Sequence, residues 1–301
     1  MVRRLISSSG VATASGNTRR GEVKDRSLRA LLDLGGRLAV VTGAAQGFGA
    51  AISLRLAEAG ALVVVADINP SGASITAERI RGAGGRAEPK VVDVADPRAV
   101  EQMFSTLPGA PDLLVNNAGV FSNYFADHLP AAEFDRIMRV NVGGAFYCAA
   151  AFIRAARAAV KGGVIVNIAS VDAMHPSAEG LLHYTTSKHA IGGLTRSLAM
   201  EMAPHRIRVN AVCPGASMTE GAVALVTAGA PKGIDVVAQW NGIRDRTPLG
   251  RLCDPDDVAR AVLFLASDLA EFVTGILLPV DGGILVQPLE GYVPTGVESA
   301  R

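Results

Sequence analysis

The 301-residue sequence has little cysteine, few aromatic residues and almost no net charge. Its three cysteines, Cys148, Cys213 and Cys253, stand far apart, so none forms a pair with metal-ligand spacing, and no metal site is expected. An odd, sparse set also argues against a disulfide framework and reads as free thiols in a reducing compartment, the cytoplasm. A formal net charge of +1 leaves no basic field for nucleic acid and no acidic tail. No apolar run reaches about 18 residues without a charge or a breaker, so no membrane span is expected. Aromatic residues make up 5% of the chain, with one tryptophan, whereas glycine is plentiful at 33 residues. That balance suits an enzyme of strands and helices joined by short turns. At 49% hydrophobic, the chain can build one full-sized core.

Residues 1–34 differ from the rest. They are rich in Ser, Thr, Gly and Arg, with no acid before Glu22. The stretch reads as a disordered extension, with an Arg- and Ser-rich transit peptide as the alternative. No apolar core follows Arg3-Arg4, which argues against a secretory signal.

From Arg37 onward, short apolar runs alternate with longer mixed segments. Seven strands are expected, at residues 38–42, 62–66, 90–92, 113–116, 164–168, 207–212 and 276–280. Most are apolar throughout, as in a sheet covered on both faces. Segments such as 50–59 and 190–202 have helical spacing. Strands alternating with helices predict one parallel sheet in a single domain over about 35–290, followed by a tail at 291–301. Between Pro214 and Pro248 no strand is evident. That stretch holds Trp240 and the glycines Gly215, Gly221, Gly229, Gly233 and Gly242. A long loop after a strand end predicts a lid over about 215–248.

Two groups of residues carry chemistry. Gly43, Gln46, Gly47, Phe48 and Gly49 join the first strand to the first long helix, a position where glycines let the backbone approach a diphosphate. The helix N-terminus beyond supplies N–H groups and a positive dipole end. Asp67 ends the second strand, where a carboxylate can take the ribose hydroxyls of adenosine and repel a 2′-phosphate. No Arg or Lys stands nearby, so NAD is expected over NADP. Asp93, with Val94 beside it, is a candidate for the adenine amino group or a plain turn acid. Asn117, Ala118 and Gly119 follow the fourth strand and can line the adenosine. The second group is Tyr184 and Lys188, four apart on one helix face, with Ser170 fourteen residues before the tyrosine and Asn141 further back. An ammonium beside a phenol is expected to pull its pKa below the usual value of about 10. Together these groups predict hydride chemistry on a nicotinamide cofactor.

On these motifs, together with Pro214-Gly215, the chain resembles the short-chain dehydrogenases/reductases over about residues 35–285. The resemblance implies a Rossmann-type doubly wound sheet of seven parallel strands with helices on both faces, and a homotetramer or homodimer. It implies that Tyr184 moves the proton at the substrate oxygen and that Lys188 tunes it and holds the nicotinamide ribose. Ser170 would position the substrate oxygen, Asn141 would hold a relay water, and Thr219 would meet the nicotinamide carboxamide. Two features depart from the family pattern. The gap from Ser170 to Tyr184 is one residue longer, and Pro108-Gly109-Ala110-Pro111 shortens the segment before Leu113.

The substrate pocket is expected between residues 171–183, residues 121–125 and the lid. Phe121, Tyr124, Phe125, Met174, His175, Leu181 and Leu182 would make it largely apolar, suited to a small or medium secondary alcohol or ketone. His183 and Glu179 are expected to face solvent or cap, with substrate contact as the alternative. The apolar tail after Gly283 would dock on a neighbouring subunit or pack on its own sheet. Two other functions stay open: an NADP-dependent biosynthetic reductase such as a 3-oxoacyl-carrier-protein reductase, and a dinucleotide sensor without catalysis.

Overall fold

Strands β1 (Leu38–Thr42), β2 (Leu62–Asp67) and β4 (Leu113–Asn116) are apolar along their length because side chains on both faces are covered. Alternate residues of each strand enter different cores. Ala39, Val41, Val63, Val65 and Val115 pack with Ile52 and Leu56 of α2 (Gly47–Glu58), Ile80 of α3 (Pro70–Gly82) and Val262 of α9 (Pro255–Ala266). Leu38, Val40, Val64 and Leu114 pack with Met103 of α4 (Pro97–Ser105), Phe152 of α6 (Gly144–Ala158) and Ala199 of α7 (Leu182–Met202). Period-2 alternation thus builds a layer of helices on each face.

This computed structural model describes residues 26–223 and 236–286. The readings made for residues 1–25, for 224–235 within the expected lid and for the tail beyond 286 lie outside the described residues. The sheet is completed by β3 (Arg86–Val91), β5 (Gly163–Ile168), β6 (Ile207–Pro214) and β7 (Leu277–Val280). All seven strands are parallel, in the order β3-β2-β1-β4-β5-β6-β7. The chain starts in the middle, runs out to β3 and returns to β4, so the winding reverses between β1 and β4. The ends of β1 and β4 therefore flank the crevice where such sheets hold ligands.

The third strand starts four residues earlier than its expected beginning at Lys90. It is an edge strand with several exposed positions, so Arg86, Glu88 and Pro89 hide it from an apolar-run criterion. Both edge strands contain a proline, Pro89 in β3 and Pro279 in β7. A second correction concerns the expected disordered extension to residue 34. Ser27 caps a short helix, α1 (Leu28–Leu32), and Leu34 is buried. Arg26 and Arg37 both pair with Asp268 at 2.7 Å, tying this segment to the turn after α9. In the 215–248 segment no strand occurs among the described residues, and α8 (Val236–Arg246) buries Trp240. No helix among the described residues is long and apolar enough to cross a membrane.

Among the described residues Phe152 is the largest fully buried side chain, and a Cβ placed on Gly163 would lie 2.7 Å from its ring. Phe152→Ala should therefore cost about 3–5 kcal/mol. Denaturant unfolding would read this, and a loss under about 1 kcal/mol would contradict tight packing of that core.

Candidate active site

At the winding reversal, β1 ends in Thr42 and β4 in Asn116. The Thr42 hydroxyl accepts the N–H groups of Asn117 and Ala118, each at 3.1 Å. The Asn117 amide donates to the carbonyls of Thr42 at 2.9 Å and Gly43 at 2.8 Å. Gly43 lies at φ +62, and a Cβ there would come 2.7 Å from Ala118 Cα. A Cβ on Gly49 would run into the Gly43 carbonyl, so Gly49 lets the helix sit against the turn. Gln46 precedes α2, and Gly47, at φ +54, faces Thr219.

Beside this turn runs a cavity of about 770 Å³. One end is lined by Asp67, Ile68, Asn69, Asp93 and Val94, the middle by Gly43, Gln46, Gly47, Phe48 and Asn117 to Gly119, and the other end by Tyr184, Lys188 and Thr219. Of the residues expected around the cofactor, Gly49, Pro214 and Gly215 do not line it. Gly215 packs on Asp281, where a Cβ would meet backbone at 2.9 Å. Asp67 is fixed by the N–H groups of Ala45 and Asn69, each at 2.9 Å, one on each oxygen. The Asp93 carboxylate accepts Ala95 N–H at 2.9 Å, so it closes its own turn as well as lining the cavity. The glycine turn, the N-terminus of α2 and the fixed carboxylate fit a nicotinamide dinucleotide laid along this crevice. Glu220, which opens the next helical turn, accepts Gly47 N–H at 3.2 Å, where an anion at the helix end would compete with it.

At the far end, the first turns of α7 carry Tyr184, half-buried, and Lys188, 6% exposed. The Lys188 ammonium donates to the Ile168 carbonyl at 2.9 Å and stands 5.4 Å above the centre of the Tyr184 ring. Asn141 lies in a π-helical turn, Arg139–Gly143. Its amide accepts Val120 N–H at 2.8 Å and donates to Val120 O at 2.9 Å and Ser187 Oγ at 3.0 Å. Ser187 in turn donates to the Tyr184 carbonyl at 2.7 Å. Asn141 thus fixes the loop at Val120 against α7. Ser170 caps the 3₁₀ turn Val171–Ala173, and its hydroxyl donates to Asp172 at 3.2 Å.

The tyrosine does not titrate as its sequence suggests. Burial pushes its phenol above the ordinary value, with the Ser170 hydroxyl opposing and the Asp172 and Cys213 charges adding to the rise. The same burial pushes Lys188 down to about 8. The ammonium faces a carbonyl rather than the phenol oxygen, so desolvation outweighs its pull.

His183 also departs from expectation, since it is fully buried rather than solvent-facing. Its Nε2 lies 2.8 Å from Ser122 Oγ, which donates to Glu133 at 2.6 Å. Arg136 bonds both Glu133 oxygens, at 2.8 and 2.7 Å, and holds that carboxyl down at about 2. Burial lowers His183, so the ring is neutral and links the wall loop to α5 (Ala131–Met138). Glu179 is exposed. Phe121 packs on Tyr184, with ring centres 5.6 Å apart. Sequence reasoning missed Asp172, Ser187 and Glu220, since none belongs to a recognisable spacing. Among the described residues no His, Cys, Asp and Glu cluster could hold a metal.

Residues 43–285 match the family described as Enoyl-(Acyl carrier protein) reductase. The chain is 42% identical over 257 residues to 4-formylbenzenesulfonate dehydrogenase of Comamonas testosteroni, covering 84% of this chain and 99% of that protein. It is 40% identical over 251 residues to cis-4-hydroxycyclohexanecarboxylate dehydrogenase of Sinomonas cyclohexanicum, covering 82% and 96%. Its fold is similar to that of a gluconate 5-dehydrogenase from Burkholderia cenocepacia in complex with NADP and tartrate. The TM-score is 0.78 and the identity 35%, over 86% of this chain and 99% of that one.

A lysine whose pKa is lowered in the folded state binds fewer protons there than when unfolded. Its presence therefore weakens the fold at neutral pH and less so as pH rises from about 8. Relative to Lys188→Met, the cofactor-free wild type should gain about 2 kcal/mol between about pH 7 and about pH 9.5. Denaturation midpoints would measure this, and a difference constant with pH would mean that the ammonium is not desolvated.

Proposed function

As the chain belongs to the short-chain dehydrogenase/reductase family and is an oxidoreductase of that type, we propose that it works on NAD(H) and a small or medium secondary alcohol or ketone. The observation that carries this reading is Tyr184 and Lys188 at one end of a cavity whose other end holds Asp67, with the Ser170 hydroxyl near enough to Tyr184 to act on its phenol. A bound nicotinamide dinucleotide supplies or accepts the hydride. The glycine turn, Asp67 and Thr219 hold and orient it, with Asn117 bracing the turn from behind. Asp67 supports NAD, because a second anion beside its carboxylate would be repelled. The NADP in the gluconate 5-dehydrogenase structure is what favours the second reading, an NADP-dependent reductase.

Tyr184 gives its proton to a ketone oxygen or takes one from an alcohol. Desolvation keeps the phenol protonated until a partner takes up its charge. Taking a proton requires the neighbouring ammonium, so tyrosine and lysine titrate as a pair rather than separately. Ser170 meets the reacting oxygen. Asn141, whose amide is engaged by Val120 and Ser187, keeps its main chain for a water on the path from Lys188. A cytoplasmic homotetramer or homodimer completes this reading, with one domain over 35–290 and a lid over 215–248.

Tyr184→Phe should lower kcat by at least about 10²-fold with the fold intact, and a loss under about tenfold would contradict the proton-transfer role. Alcohol oxidation needs the pair to have lost a proton, so kcat should rise as pH climbs through about 8, while ketone reduction falls. A flat profile would uncouple Lys188 from the chemistry. Steady-state kinetics on a panel of secondary alcohols, cyclic diols, hydroxysteroids and sugars should give a higher kcat/KM with NAD; a higher value with NADP would overturn the cofactor assignment.

A further inference from the structure

Gly47 opens α2, so its N–H is one of the four at that helix end that no carbonyl of the helix accepts. α2 also lacks a cap of its own. The Gln46 side chain makes no capping hydrogen bond, and no acid stands in the first turn. α3, α4 and α9 differ, since Asn69, Asp96 and Asp254 cap them. The carboxylate that serves α2 comes from 173 residues further along the chain, where Glu220 Oε2 accepts the Gly47 N–H at 3.2 Å.

Glu220 belongs to a single helical turn, in which Val223 N–H donates to the Thr219 carbonyl at 2.9 Å and Ala222 N–H to Thr219 Oγ1 at 3.3 Å. That turn lies against the glycine turn. A Cβ on Gly47 would stand 3.3 Å from Thr219 Cβ, and one on Gly221 would stand 3.5 Å from Gln46 Nε2. Thr219, Gly221 and Ala222 line the cavity of about 770 Å³ beside Gly43, Gln46 and Gly47. The exposed Glu220 carboxylate therefore sits at the stretch of the cavity where glycines leave room for a diphosphate.

We infer that Glu220 is a resident anion at the diphosphate place, which a dinucleotide must displace, so that this one carboxylate lowers the affinity of the site for diphosphate-bearing ligands. This rests on the dinucleotide reading given above. The N-terminus of α2 draws one anion or the other. When a diphosphate takes it, Glu220 loses the Gly47 N–H. Carried by a turn that itself lines the cavity, its charge stays close enough to repel the newcomer. Adenosine has no phosphate and is held at the Asp67 end, so it does not meet this carboxylate. Glu220→Gln keeps an amide oxygen for the Gly47 N–H and removes the charge, whereas Glu220→Ala removes both.

Binding to the full chain without substrate reads this directly. NADH would be titrated by fluorescence, and ADP-ribose and adenosine by calorimetry. Glu220→Gln should bind NADH and ADP-ribose about three- to tenfold more tightly than wild type, with adenosine within about twofold. Glu220→Ala should tighten both at least as much. Raising the salt from about 0.05 M to about 0.5 M should shrink the gain, because an exposed charge is screened. A turn that the substitution had only loosened would instead shift adenosine and ADP-ribose together, with no response to salt, and that result would overturn the inference. So would unchanged or weaker ADP-ribose binding in either variant. The dinucleotide reading fails separately, if neither NADH nor ADP-ribose binds any form of the protein.

Discussion

A lysine ammonium held inside the protein, with a main-chain carbonyl as its one hydrogen-bond acceptor among the described residues, is the constraint to which the rest of the site answers. Lys188 reaches the last residue of β5, Ile168, and that bond fixes how α7 lies across the sheet. A buried polar chain repeats the same attachment deeper in. The Asn116 amide donates to Asn167 and the Asn167 amide to Thr195, each at 2.9 Å, linking β4, β5 and α7. With α7 set in this way, Tyr184 comes to rest under Phe121, and Ser170, two residues past the end of β5, comes within reach of it. Desolvation is the cost of this arrangement, and it appears in both members of the pair, as a phenol reluctant to ionise and an ammonium ready to lose its proton.

The cofactor end follows a different logic, of close approach rather than charge. Thr42, Gly43 and Asn117 bring the ends of β1 and β4 so near that no side chain fits between them. The reversal of winding leaves those ends uncovered by any crossing helix, and the same reversal aims α2 at the crevice. Topology makes the space, glycine keeps it open, and the helix end gives it a sign.

Much of this was legible in the chain itself. Strands such as β1 and β5 bury both faces, so they announce themselves as unbroken apolar runs, and the spacing of Tyr184 and Lys188 survives unchanged on one helical face. What was not legible depended on tertiary surroundings. Arg86 and Glu88 mark β3 as polar because only one side of an edge strand needs covering. His183 looks like a surface residue until Ser122 and Glu133, fifty or more residues away, close over it. The direction of the tyrosine shift was misread because sequence shows the ammonium but not the loss of water. Asp172 carried no signal at all, since its partners lie in a turn, a wall loop and a helix.

The two edge prolines extend the argument to how the molecule meets its own kind. A proline in an edge strand is tolerated where its nitrogen, which carries no hydrogen, faces outward. Pro89 and Pro279 therefore interrupt the ladder that a further strand would need on each flank. Each missing N–H makes strand addition on that flank less favourable, one of the ways edge strands are kept from pairing with other chains. Association through side-chain surfaces, by contrast, depends on shape and composition and can be limited to a finite assembly.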